Sequence, residues 1–123
     1  MQFNDTQLDA VQQFLQAGNL LAYPTEAVWG IGCDPFNETA VKQILAIKRR
    51  PIEKGMIVIT GDIAHIQPFL QPLPQEVVNT IATSWQSSDA QATTWLLPIP
   101  ASLQRKIPEW VTGGRDSLAI RVI

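Results

Sequence analysis

The sequence has very little of the residues that enzymes most often use for covalent or metal chemistry. Cys33 is its only cysteine and His65 its only histidine. One thiol cannot form an internal disulfide, and such cysteine usage is typical of a reducing cytoplasm. We expect Cys33 to be a small buried filler and His65 an ordinary surface or helix residue. We therefore assign no metal ligand and no covalent or acid–base catalytic residue.

Long apolar runs and an excess of positive charge are also missing. No apolar stretch approaches the ~20 residues of a membrane span, and the start MQFNDTQLDA lacks the charged-then-apolar pattern of a secretory signal. Eleven acidic residues against nine basic ones disfavour nucleic-acid binding by a wholly basic surface. With 46% hydrophobic residues, we expect one soluble cytoplasmic domain over residues 1–123. Any anion site must then be local.

Helical and strand-like segments alternate along the chain, which predicts an α/β fold. Helices are predicted between a cap at Asn4 or Asp5 and a stop at Gly18, between a cap at Asn37 and the stop at Pro51, and over 62–69 and 75–84, the last with Val77, Val78 and Ile81 facing inward. Strands are predicted over 20–23, 56–60, 93–97 and 118–123, with loops over 24–37 and 86–91.

Four of the nine basic residues lie within seven positions around Pro51: Lys48, Arg49, Arg50 and Lys54. Bases near a helix C-terminus offset the helix macrodipole, by about 0.3–1 kcal/mol each. That accounts for one or two of them but not for Lys54, which follows the proline. The alternative is a pocket in which a helix end and the next turn direct their cations at a polyanion such as a nucleoside triphosphate.

The stretch YPTEAVWGIGCD is a second candidate site. A strand that ends in Pro-Thr-Glu presents a hydroxyl and a carboxylate at its carboxyl end, where open α/β sheets usually bind ligands. Gly30 and Gly32 permit a close backbone approach, although their spacing fits neither a Walker loop nor a dinucleotide fingerprint. A simple structural turn is the other interpretation.

Arg121 lies in the last predicted strand, where alternation puts Leu118, Ile120 and Val122 on one face and Arg121 on the other. An arginine on a partly apolar face is costly unless it is paired or faces an open cavity. Either a salt bridge or a cavity is therefore expected.

Together these motifs resemble the YrdC-like family, in particular its bacterial TsaC type of threonylcarbamoyl-AMP synthase. The family combines a strand entering Y-P-T-E, a G-x-G/C-D-P turn, a helix ending in K-x-R-P, a K-G pair before an apolar strand, and a later D-S-L-A-V-R-V strand. The matching segments here are 23–26, 30–35, 48–51, 54–55 and 116–122.

The resemblance implies an open, twisted mixed sheet with flanking helices. It also implies that Thr25, Arg50 and Arg121 bind threonine and that Lys48, Arg50 and Lys54 bind the nucleotide. Arg49 falls at the variable position of K-x-R and is expected to be solvated. The implied reaction converts L-threonine, bicarbonate and ATP into threonylcarbamoyl-adenylate and pyrophosphate, usually with Mg²⁺. The product would serve partner proteins that modify the adenosine beside the anticodon of certain tRNAs.

Two departures from the family pattern bear on this expectation. The family's Pro-Gly-Pro-x-T segment is replaced by QSSDAQATTWLLP, in which only Thr94 matches. A Ser-x-Ser-Ala-Asn nucleotide-binding segment is absent, so the chain is expected to lack roughly the C-terminal third of the family domain. A tRNA- or double-stranded RNA-binding module and a catalytically inactive shortened homologue are therefore the alternatives.

Overall fold

The helices and strands follow the alternating order predicted from the sequence. The computed structural model describes residues 2–4, 6–25, 29–86 and 93–123. In these ranges the helices are α1 (Leu8–Gln16), α2 (Glu38–Lys48), α3 (Gln67–Leu70), α4 (Gln75–Gln86) and α5 (Glu109–Thr112). The strands are β1 (Leu21–Pro24), β2 (Trp29–Gly32), β3 (Ile57–Thr60), β4 (Trp95–Pro98) and β5 (Ser117–Val122). Short 3₁₀ turns span Ile52–Lys54, Ile63–Ile66 and Ala101–Leu103.

The described strands form a three-stranded mixed sheet and a separate two-stranded hairpin. In the sheet β5 lies at the centre, parallel to β3 and antiparallel to β4. The hairpin pairs β1 with β2 antiparallel, so that Tyr23 lies opposite Gly30. The predicted class, an α/β fold with a mixed sheet and flanking helices, is confirmed.

The hydrophobic core covers one face of the three-stranded sheet, and the other, which we call the open face, lies towards the hairpin and α2 with cavities between them. Leu118 and Ile120 of β5 point into the core, which α3 and α4 complete with Phe69, Leu70 and Ile81. Arg121 alternates to the open face, as the sequence predicts, and lies beside Ile59 of β3. The open face is therefore where a ligand can reach the sheet.

Helix α2 leads into the cluster of basic residues around Pro51, and residues that favour a helix start and a helix stop flank it. Asn37 caps it, since its side-chain oxygen accepts a hydrogen bond from the Ala40 N–H at 2.9 Å. Arg49 follows the last helical residue in the left-handed conformation, with φ of 52°. The chain thus turns away before Pro51, and Arg49 is exposed as expected.

Several local predictions were wrong. Residues 29–32, predicted as loop, form β2, because they pair with β1, and Gly30 and Gly32 leave room for the ring of Tyr23. Val77 is 42% exposed rather than inward, because α4 directs Val78 and Ile81 at the core. Helix α1 begins at Leu8, since Asn4 instead accepts the Thr6 N–H in a preceding turn.

Helix α5 was not predicted from the sequence, and the predicted loop over 86–91 cannot be compared with the structure along its whole length. Helix α5 has four residues, too few to show a helical period. The predicted loop over 86–91 falls mostly on residues outside the described ranges. Within those ranges no helix is long and apolar enough to cross a membrane.

Candidate functional site

A cleft of about 230 Å³ lies between the hairpin, the end of α2 and the open face of the sheet. Its polar lining includes Thr25, Lys48, Arg50 and Arg121. We call this cavity the basic cleft. Residues from three separate segments therefore share one hollow, as the cavity interpretation of the sequence requires.

Thr25 and Arg121 form one corner of the basic cleft. The Arg121 Nη2 donates a hydrogen bond to the Thr25 hydroxyl at 3.4 Å, across 96 positions of sequence. Both side chains are half-buried. Because Thr25 directly follows β1 and Arg121 lies on β5, this contact joins the hairpin to the three-stranded sheet.

Arg50 lines the basic cleft and also holds the turn that follows it. Its Nε donates to the carbonyl oxygen of Gly55 at 2.9 Å, and its Nη2 approaches that of Lys54 at 3.5 Å. These contacts use one edge of the planar guanidinium group, which has five N–H donors in all. The group is thereby oriented by its own chain while it faces the cavity. Lys48, at the end of α2, is more exposed.

Lys54 departs from the expected arrangement. It is not among the residues that line the basic cleft, and instead it borders a cavity of about 20 Å³ together with Arg115 and Thr112. The physical reason is that the 3₁₀ turn Ile52–Lys54 packs against α5, so that Lys54 lies on the side of Thr112 and Arg115. Nucleotide binding by Lys54 stays a prediction that the geometry of the cleft does not support.

Tyr23 is a cleft residue that the sequence interpretation missed. Its ring lies on the two glycines of β2: a Cβ on Gly30 would come within 3.0 Å of the ring and a Cβ on Gly32 within 2.9 Å. The Gly-Ile-Gly spacing therefore serves a cross-strand aromatic contact. Recognising residues 29–32 as the partner strand of Tyr23 would have revealed this role.

The ionisation of Tyr23 is coupled to Arg121. Burial raises the pKa of the Tyr23 hydroxyl, the positive charge of Arg121 partly opposes this shift, and Cys33 adds to it. Burial, with a further contribution from Asp34, also raises the pKa of the Cys33 thiol. A thiol held in its neutral form is a poor nucleophile. Cys33 is half-buried rather than fully buried, and it lines a cavity instead of filling the core.

Since Tyr23 is the only tyrosine, tyrosinate absorbance during an alkaline titration reports this hydroxyl alone. We expect a folded-state midpoint above 10.0, the ordinary value, and a still higher midpoint in Arg121→Ala, because the cation that favours tyrosinate is lost. The raised pKa stabilises the fold below the unfolded-state pKa, and this contribution is lost as the pH rises through the folded-state pKa. Arg105→Ala, an exposed change, is the control; equal midpoints in the two variants would contradict the coupling.

His65 shows the surface character expected of it. It is exposed, and its Nδ1 lies 2.7 Å from the Thr60 hydroxyl. Across residues 2–4, 6–25, 29–86 and 93–123, no three His, Cys, Asp or Glu residues come together in a way that could hold a metal ion.

Fold and site together define an α/β protein with a mixed sheet and a basic cleft on the open face of that sheet. Residues 13–123 match the Sua5, YciO and YrdC family model, described as "Telomere recombination". The chain belongs to this family, which confirms the resemblance seen in its motifs.

The relatives that match include proteins named threonylcarbamoyl-AMP synthase. That of Psychrobacter cryohalolentis is 54% identical over 115 residues, covering 89% of this chain and 54% of the relative. That of Acinetobacter baylyi is 49% identical over 110 residues, covering 88% and 56%. The chain thus spans about half the length of these curated relatives.

Solved structures of P. abyssi Sua5 share the fold. A doubly substituted form has a TM-score of 0.75 at 26% identity and covers 98% of this chain but 35% of its own. A second structure, described as complexed with L-threonine, has a TM-score of 0.74 at 26% identity, with coverage of 99% and 34%. The similarity therefore includes nearly all of this chain and about a third of Sua5.

Proposed function

We propose that this chain forms threonylcarbamoyl-adenylate from L-threonine, bicarbonate and ATP, with release of pyrophosphate. The observation that carries the proposal is the convergence of Thr25, Lys48, Arg50 and Arg121 on one cleft. Relatives at 54% and 49% identity bear the name of this activity, and a related structure is described with L-threonine.

The residues of the cleft suit two anionic ligands. In this proposal Lys48 and Arg50 bind the phosphates of ATP, since cations at a helix end are well placed for a polyanion. Threonine is bound by Thr25 and Arg121, and Arg50 lies between the two ligands and binds both. A guanidinium group matches the geometry of a carboxylate. Half-burial of the two arginines strengthens both contacts relative to bulk water.

The reaction needs no covalent attachment to the protein. The threonine amine attacks the carbon of bicarbonate, and loss of water leaves a carbamate. A carbamate oxygen then attacks the α-phosphorus of ATP, and pyrophosphate leaves with the electron pair of the broken P–O bond. The protein contributes alignment of the reactants and cationic stabilisation of the developing phosphate charge, which supply most of the rate acceleration in such chemistry.

The substrate ATP implies a role for Mg²⁺, and the product implies partner proteins that use it. Mg²⁺ enters as the ion bound to the ATP phosphates, and its role is to neutralise their charge. The adenylate passes to partner proteins that modify the adenosine beside the anticodon of tRNA. We place the reaction in the cytoplasm, where ATP and tRNA are available.

The test is pyrophosphate release by the purified chain with ATP, L-threonine, bicarbonate and Mg²⁺. We expect release that stops when threonine or bicarbonate is omitted. Absence of threonine-dependent release above background would refute synthesis by this chain. Calorimetric titration with ATP and with threonine is the companion measurement, and binding without release would leave the chain a binding homologue only.

A further inference from the structure

A second cavity, of about 110 Å³, adjoins the basic cleft. Its walls are mostly apolar and come from the hairpin, α2 and β3, and they include Ile31, Val41, Ile44 and Val58. Val41 and Ile44 are both 1% exposed, so this wall is firmly packed. We call this second cavity the apolar annex.

The apolar annex and the basic cleft share part of their walls. Tyr23, Met56 and Ile57 are among the residues that line both cavities. Met56 and Ile57 belong to the sheet side, whereas Tyr23 belongs to the hairpin side. Ile31 of β2 also lines both cavities, so the hairpin contributes Tyr23 together with Ile31 to the partition.

The position of the Tyr23 ring is tightly defined. It rests on the backbone of Gly30 and Gly32 so closely that a Cβ on either residue would press against the ring, at 3.0 and 2.9 Å. Tyr23 and Thr25 are two positions apart along the extended chain, so they project to the same side. The ring consequently stands next to the Thr25–Arg121 corner, where the proposed function places threonine.

We propose that Tyr23 is a specificity-determining residue whose ring closes the apolar annex and limits the size of the amino-acid side chain that the basic cleft accepts. This inference rests on the proposed function. Threonine has a short side chain that needs no room beyond the ring. Without the ring the two cavities merge, and a longer branched side chain such as that of isoleucine gains an apolar space.

Removal of the ring should therefore relax amino-acid selectivity. In Tyr23→Ala we expect the preference for threonine over isoleucine to fall about tenfold or more, since a methylene group in an apolar pocket is worth roughly 10–200-fold in selectivity. Tyr23→Phe keeps the ring and should keep the preference. The measurement is kcat/KM for each amino acid in pyrophosphate release, together with calorimetric affinities. An unchanged preference in a folded Tyr23→Ala would refute the inference.

The partition can be tested without ATP chemistry by using benzene as the probe. An apolar cavity of about 150 Å³ binds benzene, whereas the annex is smaller. We expect benzene to shift the methyl NMR signals of Ile31 and Ile44 in Tyr23→Ala but not in the wild-type chain or in Tyr23→Phe. Equal binding to wild type and Tyr23→Ala would overturn the partition, as would no binding to the folded Ala variant.

Control variants distinguish the role proposed for Tyr23 from a general loss of folding, and one combination of results distinguishes it from failure of the proposed function. Phe36→Ala truncates an aromatic side chain that is 67% exposed and outside both cavities, and it should change neither readout. If Tyr23→Ala does not fold, Tyr23→Leu is the substitute, with the same expected direction. Benzene binding to the ring-less variant, combined with no synthesis and no amino-acid binding by any variant, would refute the proposed function while leaving the partition intact.

Discussion

Arg121→Ala is expected to lower kcat/KM for threonine-dependent pyrophosphate release by about 10²- to 10³-fold, because it removes one partner of a partly desolvated charge pair with the threonine carboxylate. Arg121 stands on the open face of β5, is half-buried and reaches the Thr25 hydroxyl. Its charge is thus less screened by water than that of a surface arginine. The measurement is steady-state kinetics with threonine as the varied substrate, supported by calorimetric affinity for threonine.

Two variants separate the charge of Arg121 from its shape. Arg121→Lys keeps a positive charge but loses the planar fork, so only partial recovery of activity is expected. Arg105→Ala removes an exposed arginine outside the basic cleft and should leave the kinetics unchanged. Activity of Arg121→Ala within twofold of wild type would remove Arg121 from the site.

The hydrogen bond between Thr25 and Arg121 predicts that the kinetic effects of substituting these two residues are not independent. Residues in direct contact show non-additive effects when both are changed. Thr25→Ala combined with Arg121→Ala should therefore cost less than the product of the two single losses. If the two losses in kcat/KM simply multiply in the double variant, the 3.4 Å contact between Arg121 and Thr25 does not contribute to activity.

The parts of the fold that sequence patterns predicted are those with strong local causes. Helix α2 has a capping residue at Asn37 and a proline at its end, and its apolar stripe ends at Lys48. The alternation around Arg121 likewise predicted the face that this side chain occupies. Local boundaries and periods thus predicted the elements that carry Lys48, Arg50 and Arg121, whereas their convergence with Thr25 on one cleft was implied by the family resemblance.

The features that escaped prediction depend on contacts between distant segments. Strand β2 is short and glycine-rich, and it is a strand because it pairs with β1 along its whole length. The direction of Lys54 depends on a 3₁₀ turn packed against α5, which has no periodic signal of its own. Such outcomes are decided by tertiary packing, which overrides local propensity.

The turn that holds Arg50 is packed against α5 by direct backbone contact. The Met56 N–H donates to the Val111 carbonyl oxygen at 2.7 Å. Gly113, with φ of 71°, ends α5 beside the carbonyl oxygen of Glu53 and the amide of Gly55. Close approach of two backbones is possible here only because neither glycine carries a side chain.

Gly113→Ala is expected to lower the free energy of unfolding by about 2–5 kcal/mol. An added Cβ would lie 2.5 Å from the Glu53 oxygen and 2.8 Å from the Gly55 nitrogen, and both are backbone atoms that cannot rotate away. The left-handed conformation adds strain of about 1–2 kcal/mol for a non-glycine residue, and overpacking adds about 1–3 kcal/mol. Equilibrium urea denaturation measures the loss.

Alanine substitutions at three other glycines separate the contribution of backbone strain from that of the clash made by the added Cβ. Gly114→Ala has the same unfavourable backbone, with φ of 80°, but nothing within 4 Å of the new Cβ, so only the strain of about 1–2 kcal/mol is expected. Gly61→Ala has neither strain nor a neighbour within 4 Å and should be close to neutral. Gly55→Ala, with its Cβ 2.9 Å from the Thr112 oxygen, should resemble Gly113→Ala and also raise KM for ATP, because the Gly55 carbonyl orients Arg50. Equal stability losses for Gly113→Ala and Gly114→Ala would show that backbone strain alone acts, and that α5 does not fix the turn bearing Arg50.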